Sequence, residues 1–223
     1  MNTRTKVKIC CIASQSEAKL AIEAGADAIG LVAEMPSGPG PIPDEAIETI
    51  ARIIPPGVDS FLLTSRTSPT SVLEQVLRCR ASVVQLVGTV ESLVYQHLRK
   101  HAPNVRIVQV IHVEDINALS EAQRIASDVD AILLDFGHPS APVPELGGTG
   151  RVHDWNISKV IVSAVSSPVF LAGGLTPDNV SDAIRTVQPY GVDLCSSVRT
   201  NGALDIEKLK RFMDVVRAAD ATN

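Results

Sequence analysis

The amino-acid sequence predicts a (β/α)₈ barrel on three observations: eight short apolar, β-branched runs, a helix-period segment after each, and short connections throughout. The runs are residues 6–12, 28–32, 60–64, 83–87, 106–111, 131–135, 169–172 and 192–196. Such alternation makes parallel βαβ units, and eight units close a barrel. Apolar residues are 45% of the 223 and aromatics only 3%, so the core is aliphatic, as parallel strands covered on both faces require. An open doubly wound sheet is the competing architecture. Eight units in this length, with no GxGxxG turn after the first run, favour the barrel.

The helices carry their own boundary signals. After the first run, Ser14 with Glu17 three residues later reads as a capping box, and Gly25 supplies the residue that ends that helix. The second helix opens at Pro43-Asp44 and repeats Ala46, Ile47, Ile50, Ala51 and Ile54 on one face. The third has Ser68 as N-cap and Pro69 at the first helical position, then Val72, Leu73, Val76 and Leu77. The fourth spans about residues 91–102. The fifth spans about 115–127, with Ile116, Leu119, Ala122, Ile125 and Ala126 on one face. A less regular sixth starts at Asp154, the seventh opens at Thr176-Pro177, and the last buries Ile206, Leu209, Phe212, Met213 and Val216. The stretch PSGPGPIP (residues 36–43) lies between a strand and its helix, which makes it a βα loop on the barrel rim rather than a domain boundary. With no linker or low-complexity segment, residues 1–223 are expected to form a single barrel domain.

Composition excludes several function classes. A formal charge of −5 and the lack of any Lys/Arg block argue against nucleic acid. No apolar stretch reaches the ~20 residues of a membrane span. The polar residues 1–6 lead straight into a strand, so no signal peptide is expected. Cys10, Cys11, Cys79 and Cys195 form no CxxC pair, which fits reduced thiols and a cytoplasmic location. No His/Cys/carboxylate cluster has metal-ligand spacing, and no metal is expected. The sequence allows a monomer or a homodimer.

A barrel carries its chemistry at the C-terminal strand ends. Cys10 and Cys11 end the first strand, and neighbouring residues point to opposite faces. Cys10 shares its face with Lys8, where a thiol near a polar mouth can move protons; on the other face Cys11 would be a small hydrophobe. Asp135 ends the sixth strand, where a bare carboxylate is costly to bury and suits an acid or base. It could also cap a loop. Together Cys10 and Asp135 could transfer protons on two sides of a substrate, as an isomerisation needs. Three loops can hold a phosphate: Gly148 and Gly150 after strand six, Gly173 and Gly174 after strand seven, and Ser196 and Ser197 after strand eight. Glycine doublets alone often mean only a tight turn, so the joint placement carries the weight. These features point to a phosphorylated metabolite as ligand. His97 and His101 fall on an exposed helix face, His112 and His138 lie near strand ends, and Asp193, inside strand eight, is expected to make a structural hydrogen bond.

Seven segments in order resemble the phosphoribosylanthranilate isomerase family of tryptophan biosynthesis. They are VKIC (7–10), EAGADAIGLV (23–32), VVQLVG (83–88), ILLD (132–135), GGTGRVHDW (147–155), LAGGLTPDNV (171–180) and GVDLCSSV (191–198). The resemblance implies a (β/α)₈ barrel and a cofactor-free Amadori rearrangement of an aminoaldose 5-phosphate to an aminoketose. On the family pattern Cys10 matches the general base and Asp135 the general acid; Lys8, Gln85 and Arg199 are further candidates to bind substrate. The departures are specific. Cys11 stands where the family usually has Gly, Gly40 stands near a carboxylate-binding Arg, Val87 replaces a His, and Ser197-Val198-Arg199 replaces Gly-Val-Glu. Loss of a bidentate guanidinium contact removes about 1.5–3 kcal/mol. Either Arg199 or Arg66 takes over the carboxylate, or the substrate lacks it. Two other functions stay open at this point: an isomerase or lyase for a different phosphosugar, and a non-catalytic barrel that binds a phosphorylated metabolite or a partner protein.

Overall fold

The computed structural model describes residues 4–36, 38–137 and 152–222. Eight parallel strands close a barrel in sequence order: β1 (Lys6–Ile9), β2 (Ala28–Val32), β3 (Asp59–Thr64), β4 (Val83–Leu86), β5 (Arg106–His112), β6 (Ala131–Asp135), β7 (Val169–Leu171) and β8 (Gly191–Leu194). β1 closes the ring against β8 with Lys8 opposite Asp193 and Ile9 opposite Leu194. Among the described residues, eight α-helices surround it: α1 (Gln15–Glu23), α2 (Asp44–Ala51), α3 (Pro69–Cys79), α4 (Ser92–His101), α5 (Asn117–Ile125), α6 (Trp155–Ala164), α7 (Val180–Val187) and α8 (Ile206–Asp220).

Alternation along each strand divides the core in two. Outward residues such as Ile9, Ile29, Leu31, Leu62, Leu86 and Ile132 pack under the helices. Inward residues, among them Cys10, Phe61, Leu63, Val108, Leu133 and Phe170, fill the barrel. Small residues make room where large ones meet. A Cβ on Gly30 would lie 2.8 Å from the Cys10 Sγ, and one on Gly191 would lie 2.6 Å from the Phe170 ring.

Local chemistry sets most helix ends. Ser14 accepts from the Glu17 N–H, while the Glu17 carboxylate turns back to the Ala13 N–H at 3.0 Å. Ser68 accepts from Ser71 N–H with Pro69 behind it, and Asp154 and Asp205 cap α6 and α8.

Three details depart from the sequence expectation. β1 stops at Ile9, because Cys11 takes a left-handed φ of 60° and turns the chain before residue 12. α7 begins at Val180, not at Thr176: the Asn179 side chain accepts from the Thr176 N–H at 2.8 Å and holds that stretch as a turn. A short hairpin, β9 (Arg199–Thr200) with β10 (Ala203–Leu204), follows β8. Its Asn201-Gly202 pair, both at positive φ, is a strong hairpin signal that the barrel pattern overshadowed.

Candidate active site

One cavity opens at the C-terminal ends of the strands. Cys10, Gln85, Asp135, Gly173, Gly174 and Ser196 line it, contributed by β1, β4, β6 and the turns after β7 and β8. Those six expected residues therefore come together. Cys10 is buried with its sulfur turned into the barrel, against Gly30 of β2. Asp135 accepts from the Phe136 N–H at 2.8 Å, which fixes the carboxylate at the end of β6.

The turn after β7 has the geometry of an anion cradle. Gly173 and Gly174 take φ of 87° and 60°, conformations cheap only for glycine, and no Cβ shields the backbone there. Among the described residues, neither glycine's N–H donates to a protein acceptor. Asn179 pins the turn, its Nδ2 donating to the Gly174 carbonyl at 3.0 Å.

The cavity floor holds two acceptors without partners among the described residues, Gln85 Oε1 and Asp193 Oδ1. Asp193 makes the structural hydrogen bond expected of it and also reaches the cavity. Its other oxygen does accept from the Lys8 Nζ at 2.8 Å, inside the barrel. Complete burial works against the Lys8 charge, but the Asp193 carboxylate outweighs it and holds the ammonium above its ordinary range. Burial also pushes the Asp193 carboxyl up, with Lys8 opposing. The signal available in the sequence was a pair of charges in two apolar strands, Lys8 and Asp193, which the barrel register sets side by side.

Other candidates lie elsewhere. Lys8 sits beneath the floor, over the Phe61 ring at 5.2 Å, and does not line the cavity. Ser197 is likewise outside the lining. Arg199 is half-buried behind β1: it pairs with Glu17 at 3.2 Å and donates to the carbonyls of Cys10, Cys11 and Gly202. Its position is that of a brace between the β9–β10 hairpin and the end of β1, not of a substrate cation. Arg66 donates to the Ser71 carbonyl at 3.0 Å and faces Asp44, also away from the cavity. Among the described lining residues there is no Lys or Arg. Val32, Met35, Pro39, Leu63 and Val87 give that side an apolar wall. His112 is tied to the Val87 carbonyl at 3.0 Å. Gly148, Gly150 and His138 lie outside the described residues. Among the described residues, no group of three His, Cys, Asp or Glu could hold a metal, and no helix is long and apolar enough to cross a membrane.

This geometry agrees with what the chain is similar to. The family described as N-(5'phosphoribosyl)anthranilate (PRA) isomerase matches residues 7–215. The chain belongs to that family. An N-(5'-phosphoribosyl)anthranilate isomerase of Methanocella arvoryzae is 35% identical over 96% of this chain and 98% of its own. Among solved structures, the phosphoribosyl anthranilate isomerase of Thermus thermophilus superposes with a TM-score of 0.80 at 25% identity, covering 96% of this chain and 99% of that one. A second phosphoribosyl anthranilate isomerase, solved in complex with reduced 1-(o-carboxyphenylamino)-1-deoxyribulose 5-phosphate, gives 0.77 at 26% identity over 96% and 99%. In this phosphoribosylanthranilate isomerase family barrel, the cavity lined by Cys10 and Asp135 opens on the C-terminal face.

Proposed function

We propose that this barrel is a phosphoribosylanthranilate isomerase of tryptophan biosynthesis, with Cys10 as general base and Asp135 as general acid. The observation that carries the reading is one cavity in which the Cys10 thiol and the Asp135 carboxylate meet the glycine turn after β7. Asp135 protonates the ring oxygen of the aminoaldose and opens it to a Schiff base. The Cys10 thiolate takes the proton from C2, and the enolamine tautomerises to the ketone. The N–H groups of Gly173 and Gly174, with Ser196, hold the 5-phosphate. Gln85 Oε1 and Asp193 Oδ1 accept from the sugar hydroxyls, which relieves two buried oxygens of their missing partners. The apolar wall takes the aromatic ring.

The test is turnover of phosphoribosylanthranilate by purified protein, together with rescue of a tryptophan auxotroph that lacks this isomerase. Turnover and growth are expected. Failure of both with well-folded protein contradicts the reading and favours another phosphosugar. Because the described lining offers the ring's carboxylate no cation, the same rearrangement of the anilino analogue, which lacks that group, should proceed with kcat/KM within about tenfold. A bidentate Arg contact, by contrast, would make the analogue roughly 10–100-fold worse.

A further inference from the structure

The segment that carries the Cys10 thiol leaves the barrel ladder after Ile9. The Cys10 N–H donates to the Leu194 carbonyl at 2.8 Å, and the Ile12 N–H to the Gly30 carbonyl at 3.0 Å. Between them Cys11 takes φ of 60°, a costly conformation for a residue with a Cβ. Among the described residues, no backbone N–H donates to the carbonyls of Cys10 and Cys11. Arg199 supplies that donor: its Nη2 lies 3.4 Å from the Cys10 carbonyl and also donates to that of Cys11. The guanidinium is itself held. Glu17 accepts from Nη1 at 3.2 Å and from Nη2 at 3.3 Å, and the Gly202 carbonyl accepts from Nη1 at 2.8 Å. Glu17 in turn is pinned by the N–H groups of Ala13 at 3.0 Å and Leu204 at 2.8 Å. The two side chains are only 10% and 15% exposed, so water does not screen this pair as it would on a surface.

We propose that Arg199, held by Glu17, is a positioning residue for the general base: by fixing the carbonyls of Cys10 and Cys11 it sets where the Cys10 sulfur stands in the cavity. Its consequence for turnover rests on the proposed function; the restraint on Cys10 does not. Arg199 does not line the cavity, so its effect passes through Cys10 and not through contact with substrate. The arrangement serves Nη1 and Nη2 at the expense of Nε, which is buried with no acceptor among the described residues. Proton transfer depends steeply on where the sulfur stands, and a misplacement of about 1 Å costs up to roughly 10²-fold. The groups proposed to hold the phosphate and the sugar, Gly173, Gly174 and Gln85, belong to other strand ends. Loss of Arg199 therefore separates rate from affinity.

The test is Arg199→Met, which keeps a buried apolar stem and removes every donor. It is compared with wild type in kcat, in KM and in alkylation of Cys10 and Cys79 by iodoacetamide, read by peptide mapping with fragmentation to separate Cys10 from Cys11. kcat is expected to fall roughly 10–100-fold, with KM and the affinity for the reduced carboxyphenylamino-deoxyribulose phosphate within about threefold. Alkylation of Cys10 should quicken by about tenfold while the fully buried Cys79 keeps its wild-type rate. Cys79 reports loosening of the whole barrel, so a variant that is merely unstable quickens both. Glu17→Gln covers the case in which Arg199→Met does not fold. Gln still closes the α1 capping box but loses the charge that orients Arg199, and both readouts should move the same way by a smaller factor. Wild-type kcat, unchanged alkylation of Cys10, or equal acceleration at Cys10 and Cys79 overturns the proposal. If the wild-type protein does not turn over phosphoribosylanthranilate, the function proposed above fails, and the alkylation pattern still decides whether Arg199 restrains Cys10.

Discussion

Lys8 is the residue on which the barrel interior turns. A fully buried ammonium in an aliphatic core is tolerated only with a partner, and β8 supplies Asp193 in register at 2.8 Å. The pair costs desolvation, yet it leaves one carboxylate oxygen unpaired at the cavity floor, where a substrate donor can use it. Removal of one partner is therefore expected to be worse than removal of both. Lys8→Met should lower the unfolding free energy by about 3–5 kcal/mol, and Lys8→Met with Asp193→Leu should recover most of it. Urea unfolding measures both; a single variant as stable as wild type would show that the ion pair carries no such role. The placement of Cys10 and Asp135 at the cavity was legible at this scale because reactive side chains at the ends of apolar strands have few structural uses, whereas Gln85 came only with the family resemblance. Arg199 was misleading for the opposite reason. A guanidinium near a strand end reads as a ligand for substrate, and only the fold shows Glu17, distant in sequence, waiting for it.

Between elements, the loop after β2 and the end of β1 fit each other through a paired departure from the family pattern. Cys11 brings a side chain to a left-handed position, and Gly40 opposite has none: a Cβ there would lie 2.7 Å from the Cys11 Cβ. Gly40 itself has φ of 86°. Gly40→Ala is expected to cost about 1–3 kcal/mol through strain and overlap. Cys11→Gly should relieve the overlap, so the double variant is expected to be less destabilised than the sum of the two by about 1–2 kcal/mol. Strict additivity in thermal unfolding would contradict this contact. The sequence announced both departures but could not show that they touch, since residues 11 and 40 belong to different βα loops. Helix caps were legible because their signals are local: Ser14, Ser68 and Asp154 all cap as read. The opening of α7 was not, because Thr176-Pro177 looks like a helix start while the Asn179 side chain closes a turn there instead.

At the scale of the whole molecule, the barrel was legible because eight aliphatic runs leave few other ways to bury both strand faces. Its pH dependence was not, since it depends on which groups the fold buries. His153 is buried with Nε2 at 2.6 Å from the Ser158 hydroxyl, and burial lowers it to about 4. The unfolded chain binds that proton near pH 6.5, so stability is lost as pH falls from about 6.5 to 4, by up to roughly 3 kcal/mol. Burial would raise Glu17 and Asp27. The N–H groups of Ala13 and Leu204 with Arg199 for Glu17, and Arg4, Lys6 and the Val7 N–H for Asp27, more than offset it and hold both below the carboxylate range. Their stabilisation is present above the unfolded values and disappears as pH falls through the folded ones, below about 4. Urea midpoints should therefore fall in two stages, and His153→Gln should remove the first alone; a wild-type midpoint constant from pH 7 to 4 would refute the assignment. The measurement that bears most directly on the whole account is the turnover of phosphoribosylanthranilate by Cys10→Ser and Asp135→Asn, read beside their affinity for the reduced carboxyphenylamino-deoxyribulose phosphate. Each rate should fall by roughly 10²–10⁴-fold with that affinity largely kept; wild-type rates in both variants would contradict the roles given to this thiol and this carboxylate.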